Sequence, residues 1–312
     1  MIGFDIGGTK CSVCTGIEKD GKISLTDKRV IPTDHGKNPY EMIDLMCIAA
    51  EEIGDDFARI GISCGGPLDA EAGVILSPPN LPGWDNVRIC SYLKDRYGGK
   101  VNLQNDANAC ATAEWRFGAG KGTNNMIFLT FGTGLGAGLI LNGSLYTGSD
   151  GMAGEAGHIR LVPKGPVGYG KAGSFEGFCS GGGIAGLGRA LAEERLRKGE
   201  SVSFCSSREE LDRISARVIA EAAQAGNSDA IGIYRKSGEM LGRGLAVLID
   251  LLNPEIIVIG SIFKRSETLL RKSMEKVLKR ECLPRSLEAC RILPSALGEE
   301  IGDYAALATA LL

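Results

Sequence analysis

The sequence predicts an α/β protein of two domains, and three observations carry that expectation. Strand-like and helix-like patterns alternate along the chain, a strand–Gly-rich turn–strand unit occurs twice, and 312 residues at 44% apolar composition can fill two modest cores. The net charge of -3 gives no electrostatic preference for nucleic acid or membrane. The N-terminus runs straight into "MIGFDIGGTK", with no charged segment leading an apolar one, and no apolar run is long enough to span a bilayer. A soluble, cytoplasmic protein is expected.

The elements follow in order. "IGFDI", "CSVCTGI" and "KISLTDKRVI" read as strands separated by Gly-rich or Asp-Gly turns. "PYEMIDLMCIAAEEIG" places Met42, Leu45, Met46 and Ala49 at helical spacing, and the strand "RIGISC" comes next. Helices are expected over "NVRICSYLKDRYG" and "DANACATAEWRFG", with the strand "VNLQN" between them and Asn105 or Asp106 as the second helix's N-cap. "NNMIFLTFGTGLGAGLILNG" holds two apolar runs around a Gly-Thr-Gly turn and repeats in miniature "GFDIGGTKCSV". Beyond Gly181 the pattern is mainly helical, at 183–198, 208–225 and 229–252, then the strand "IIVIG", a helix at 266–280 and a closing helix from about Gly302.

Ten cysteines are scattered through mostly apolar segments, as in a reducing compartment. Cys11 and Cys14 form a C-x-x-C inside a strand, where residues three apart point to opposite faces, so they read as structural rather than metal-binding.

Two glycine motifs are excluded by their context. "GAGKGT" lacks the Ser or Thr that follows the lysine of a P-loop, and no glycine stands four residues before Gly120. "GTGLGA" is followed by a strand, where dinucleotide binding needs a helix N-terminus. What remains is "DIGGTK" and "FGTGLGAG". Both read either as tight hairpins or as phosphate loops, in which glycines bring backbone N–H groups close to an anion and Thr9 and Thr133 add hydroxyl donors. In "LQNDANA", Asp106 stands where a strand end meets a helix start. It is either a cap or a carboxylate able to take the proton of an alcohol attacking a γ-phosphate. The stretch "GHIRLVPKGPVGYGKAGSFEG" opens with His158 and nearly closes with Glu176, and reads as a metal loop, a substrate loop or a Gly-rich connection.

Taken together, "DIGGTK", "GGPLD", "PPNLPGW", "LQNDANA", "FGTGLGAG", "GEAGH" and the acid and Ser-Gly of 176–181 resemble, in order and spacing, the ROK family of repressors, open reading frames and sugar kinases. The resemblance implies a two-domain actin-like ATPase (hexokinase, ribonuclease H-like) fold with an interdomain catalytic cleft. It implies an N-terminal domain over 1–116, completed by the helix at 302–312, and a C-terminal domain over 117–301 with the nucleotide site and sugar loop. By the same resemblance Asp106 is the general base toward a sugar hydroxyl, glucose O6 by default, and Asn80, Asn105, Glu155, His158 and Glu176 meet sugar hydroxyls. Asp5 assists Mg²⁺ through water, Gly7, Gly8, Thr9, Lys10, Gly132, Thr133 and Gly134 face the phosphates of ATP, and Gly260 lies on the nucleoside side. A ring of carboxylates, amides and imidazole suits that task, because a wrong hydroxyl isomer leaves buried groups unpaired. Each residue also has a plain reading: Asn80 as a turn residue, Glu155 as a solvated acid, Asp5 as a turn partner and Trp84 as core.

The sequence departs from the family at one place. Many members carry a zinc loop that ends C-x-C-G-x2-G-C-x-E; counted back from Glu176, Gly170 and Gly173 match, but Val167, Tyr169 and Ser174 stand at the cysteine positions. Structural zinc wants four ligands, so no zinc is expected, and the loop is expected to be held by packing of Val167, Tyr169 and Phe175. Another partner must then set the orientation of His158, or His158 is structural.

Two functions compete. One is an ATP-dependent hexose kinase, acting on glucose or on fructose, mannose, allose, N-acetylglucosamine or N-acetylmannosamine. The other is a sugar-sensing regulator without catalysis. Family repressors carry a helix-turn-helix ahead of the sugar fold, and here Asp5 lies four residues from the start with no basic segment, which favours the kinase. Similar proteins are commonly homodimers.

Overall fold

The computed structural model describes residues 1–312. The chain opens with β1 (Ile2–Ile6), β2 (Lys10–Lys19) and β3 (Lys22–Pro32), followed by α1 (Pro39–Ile53) and β4 (Arg59–Cys64). Helix α1 starts at a capping box: Asn38 accepts from Glu41 N, Glu41 reaches back to the Asn38 N–H, and Pro39 sits at the first helical position. A short hairpin of β5 (Leu68–Asp69) and β6 (Val74–Ile75) precedes α2 (Ile89–Tyr97), β7 (Lys100–Asn105) and α3 (Asp106–Phe117). The first sheet runs β3-β2-β1-β4-β7, with β1 antiparallel to β2 and parallel to β4.

The Gly-Thr-Gly turn joins β8 (Met126–Phe131) to β9 (Leu135–Leu141), and β10 (Ser144–Tyr146) closes that hairpin. Then come β11 (Val167–Gly168), β12 (Lys171–Ala172), α4 (Phe175–Phe178), α5 (Gly181–Arg197), α6 (Ala216–Gln224) and α7 (Ser228–Leu252). The chain ends with β13 (Ile256–Ile259), α8 (Ile262–Glu281), α9 (Pro284–Ala289), β14 (Arg291–Pro294) and α10 (Ile301–Thr309). The second sheet runs β10-β9-β8-β13-β14. The chain divides into two compact units, one of Met1–Phe128, Gly138–Gly154 and Ser295–Leu312, the other of Leu129–Ala137 and Glu155–Pro294. No helix is long and apolar enough to cross a membrane.

Local chemistry moves two helix boundaries from their sequence-expected places. The helix expected over 208–225 breaks into a 3-10 turn and α6, because Ser215 accepts from Val218 N and starts a new helix. The helix expected from 266 begins at Ile262, and Ser266 marks a kink at φ -125°, ψ 23°. The hairpins β5–β6 and β11–β12, and α4, are too short for periodicity to reveal.

The two faces of the first sheet differ. Ile2, Phe4 and Ile6 point into a core with Met42, Ile43 and Met46 of α1 and Ile60 and Ile62 of β4. On the other face lies α10, whose Ala305, Ala306, Leu307 and Ala308 are all buried. A Cβ on Gly3 would sit 2.9 Å from Ala306 Cβ, and one on Gly61 would overlap Ala306 O and Ala310 N. Backbone therefore meets backbone, and only glycine fits there. Cys11 and Cys14 divide between these faces as their spacing predicts, and burial pushes both thiols up, which keeps them protonated. All ten cysteines are free.

The motif "GAGKGT" has a structural use. Glu114 of α3 is fully buried; its Oε2 accepts from Ala119 N at 2.8 Å, and its Oε1 accepts from Ser295 Oγ at 2.5 Å and Leu297 N at 3.0 Å. One carboxyl group thus ties two chain turns, and these hydrogen bonds satisfy a polar group that is buried away from water.

Gly61→Ala is expected to destabilise the chain by about 3 kcal/mol, since backbone rather than a flexible side chain must move to admit the methyl group. Urea unfolding measures this, and a change within about 0.5 kcal/mol rejects the backbone-contact account.

Candidate active site

In the first unit the site is built outward from Asp5 on β1. Its lateral partners are Ser12 on β2 and Ser63 on β4, so a polar row crosses the face that α10 covers. Asp303, buried on α10, accepts from Ser12 Oγ at 2.8 Å and pairs with Lys28 from β3. A Cβ on the preceding Gly302 would lie 2.6 Å from Asp5 Oδ2, so the Asp5 carboxylate rests against the first turn of α10. Burial, and then the negative charges of Asp303 and Asp106, raise the Asp5 pKa to about 6, against the lowering effect of the Ser63 hydroxyl and Lys28.

Asp106 occupies the first position of α3 and is exposed. Of the two cap candidates, Asn105 is the cap: its Oδ1 accepts from Ala107 N at 3.0 Å and Asn108 N at 3.5 Å. That leaves the Asn105 amide NH₂ as a donor. Asp106 Oδ1 accepts from Ala107 N at 2.8 Å. The turn from Gly7 to Lys10 is anchored by Thr33, whose Oγ1 donates to Gly7 O at 2.6 Å and whose N–H donates to Thr9 O at 3.1 Å. Gly8 lies against Asn80, with 2.7 Å from its would-be Cβ to Asn80 Cβ, while Thr9 and Lys10 are exposed.

The second unit gathers the remaining candidates. In the turn, Gly132 N donates to Gly134 O at 3.1 Å, and Gly132 O accepts from Gly181 N, at the start of α5, at 2.7 Å. Glu176 Oε2 accepts from Leu135 N at 3.0 Å and would lie 2.8 Å from a Cβ on Gly134. The acid of the loop and the glycine turn are therefore one assembly. Gly260 follows β13, its N–H donating to Leu129 O, and Ser261 after it adopts a positive φ of 46° with Oγ 3.8 Å from a would-be Cβ on Gly132. Sequence reading missed Ser261, for which a Gly-Ser turn dipeptide is the sole signal. Glu155 and His158 sit on one 3-10 turn, His158 N donating to Glu155 O at 3.1 Å, and both side chains are exposed.

The loop between them is not packed as expected. Phe175 is fully buried, but Val167 is 64% and Tyr169 75% exposed. Gly168 faces inward and is buried, so Val167 beside it on β11 faces outward, and Tyr169 lies in the exposed turn that follows. Backbone hydrogen bonds hold the loop instead: Leu161 N and Val162 N donate to Gly173 O, Gly173 N to Pro166 O, and Phe175 N to Ile159 O. Ser174 caps α4 by accepting from Gly177 N. Its donor set does not fit zinc. Val167 and Tyr169 offer no metal-binding thiolate, Ser174 is committed to the cap, and no three His, Cys, Asp or Glu side chains are arranged to hold a metal ion there.

Two mixed five-stranded sheets flanked by helices, each with a glycine turn after an early strand, define an α/β protein of the sugar-kinase type. Over 100% of this chain and 97% of the other, the structure is similar to a ROK hexokinase from Thermus thermophilus, at TM-score 0.80 and 29% identity. It is also similar to a ROK family glucokinase from Streptomyces griseus solved with glucose and AMPPNP, at TM-score 0.77 and 30% identity over 98% of this chain and 97% of that one. The glucokinase of Thermotoga maritima is 32% identical over 97% of this chain and 94% of its own. The profile of the ROK family matches residues 1–311, and the chain belongs to that family.

Because Asp5 is held above its ordinary value of 3.8, the folded chain binds its proton more tightly than the unfolded chain does. The stability this contributes is intact below about pH 4 and is lost as the pH rises through about 6. Asp5→Asn, which keeps the shape and removes the charge, is expected to leave the thermal midpoint unchanged near pH 4 and raise it near pH 8. Thermal unfolding across that range checks the sign; a lowered midpoint at pH 8 contradicts it.

Proposed function

We propose that the protein transfers the γ-phosphoryl group of ATP to a hydroxyl of a hexose, glucose O6 in the first place, with Asp106 as general base. The observation that carries this reading is the exposed Asp106 carboxylate at the start of α3, close enough to Asp5 to raise its pKa, in a chain that shares nearly its whole length with a protein named glucokinase. Asp106 accepts the hydroxyl proton as the oxygen attacks phosphorus.

Asn80 and Asn105 in the first unit and Glu155, His158 and Glu176 in the second are the proposed partners of sugar hydroxyls. Two of these are restrained before any sugar arrives, Asn105 by its cap and Glu176 by Leu135 N, which keeps the geometry of recognition fixed. Gly7, Gly8, Thr9, Lys10, Gly132, Thr133 and Gly134 present backbone and hydroxyl donors to the phosphates, with Gly260 toward the nucleoside. Asp5 is suited to hold water on Mg²⁺, which when bound offsets charge on the phosphoryl oxygens. The reading includes a cytoplasmic homodimer without zinc.

ADP release measured over a hexose panel, with the product identified, tests the activity. Asp106→Asn is expected to lower kcat by about 10²–10⁴-fold and to keep the sugar-dependent thermal shift; an unchanged kcat rejects the general-base role.

A further inference from the structure

The chain contains three hairpins closed by two residues, and their composition differs in one place. Asp20-Gly21 joins β2 to β3 at φ 54° and 67°, and Asn142-Gly143 joins β9 to β10 at φ 52° and 72°. Tyr169-Gly170 joins β11 to β12 at φ 42° and 75°. Left-handed φ at both central residues is what such a turn requires, and Asp or Asn followed by Gly supplies it at little cost. Tyrosine does not: a bulky side chain at positive φ is a backbone outlier, and strain of this kind persists where it serves a site.

Burial does not compensate for it, since the Tyr169 side chain is 75% exposed. Its ring contact is His158, with centroids 6.3 Å apart and planes at 74°, the edge-to-face arrangement that the aromatic quadrupole favours. The same hairpin reaches His158 a second time, through Lys171 Nζ, which donates to His158 O at 2.8 Å. The residue's backbone is thus held by Glu155 O and Lys171, and its ring is met by Tyr169.

We propose that Tyr169 is a positioning residue whose ring fixes the imidazole plane of His158 for a sugar hydroxyl, the orienting task that a metal would perform if the loop carried one. The proposal rests on the sugar-binding role of His158 stated above. It assigns the Tyr169 strain a purpose: a turn closed by Asn-Gly would be more stable and would leave the imidazole free to rotate.

Replacement of the turn residue separates this role from a structural one. Tyr169→Asn is expected to raise the thermal midpoint by about 2 °C, because the left-handed strain is relieved, and to raise the sugar KM by about three- to tenfold, with the larger effect on KM rather than kcat. Tyr169→Phe keeps the ring and is expected to keep the wild-type KM. In a His158→Ala background the Tyr169→Asn effect on KM is expected to vanish. An unchanged KM in Tyr169→Asn, or an undiminished effect without His158, overturns the proposal. Should the wild-type chain turn over no hexose, the kinase reading falls, and the His158 ring-proton NMR signals decide this one alone: a shift in Tyr169→Asn supports the contact, and unmoved signals overturn it.

Discussion

Between Gly61 and the turn of α10 that carries Ala306 and Ala310 there is no room for a methyl group. That contact brings the last helix of the chain down onto β1 and β4 at backbone distance, and the polar row around Asp5 depends on it. Gly302 lies against the Asp5 carboxylate, and Asp303 reaches Ser12 and Lys28, because the helix behind them cannot ride higher on the sheet. Small residues at the contact are therefore a condition of the electrostatics. A larger side chain would lift the carboxylates apart before it altered any charge.

Three carboxyl groups act on one another here: Lys28 pairs with Asp303, and the negative charges of Asp303 and Asp106 both act on the buried Asp5. Charge clustering of this sort marks places where function sets the composition. Burial first, and then these neighbouring charges, explain why Asp5 holds its proton more tightly than an ordinary aspartate.

How much of this was legible in the sequence depends on how far apart the partners lie. The strands of the first sheet and the split of Cys11 from Cys14 follow from local spacing, which also narrowed the α3 cap to Asn105 or Asp106, and the hydrogen bonds decide for Asn105. Asp303 carried no such signal: it meets Ser12 across 291 positions, and nothing in "EEIGDYAALATA" distinguishes a carboxylate that supports a site from one that begins a helix. Glu114 was hidden in the same way, inside an Ala-rich helix, while the "GAGKGT" it organises drew attention as a false phosphate loop. Residues that touch ligand tend to sit in turns with a readable pattern, whereas those that hold them are supplied by distant elements.

The loop from Gly157 to Gly177 shows the same division on a smaller scale. Gly170 and Gly173 match a metal-loop frame because the backbone path needs them: they take left-handed φ of 75° and 69°, and a Cβ on Gly173 would overlap Val162 O. The path is thus maintained by close backbone contact and by the Gly173 and Phe175 hydrogen bonds. What backbone contact does not supply is control of a side chain that projects outward, as His158 does. With Val167, Tyr169 and Ser174 offering no thiolate, the loop keeps its shape by glycine, and the strained, exposed tyrosine beside that imidazole is what the same hairpin offers to orient it.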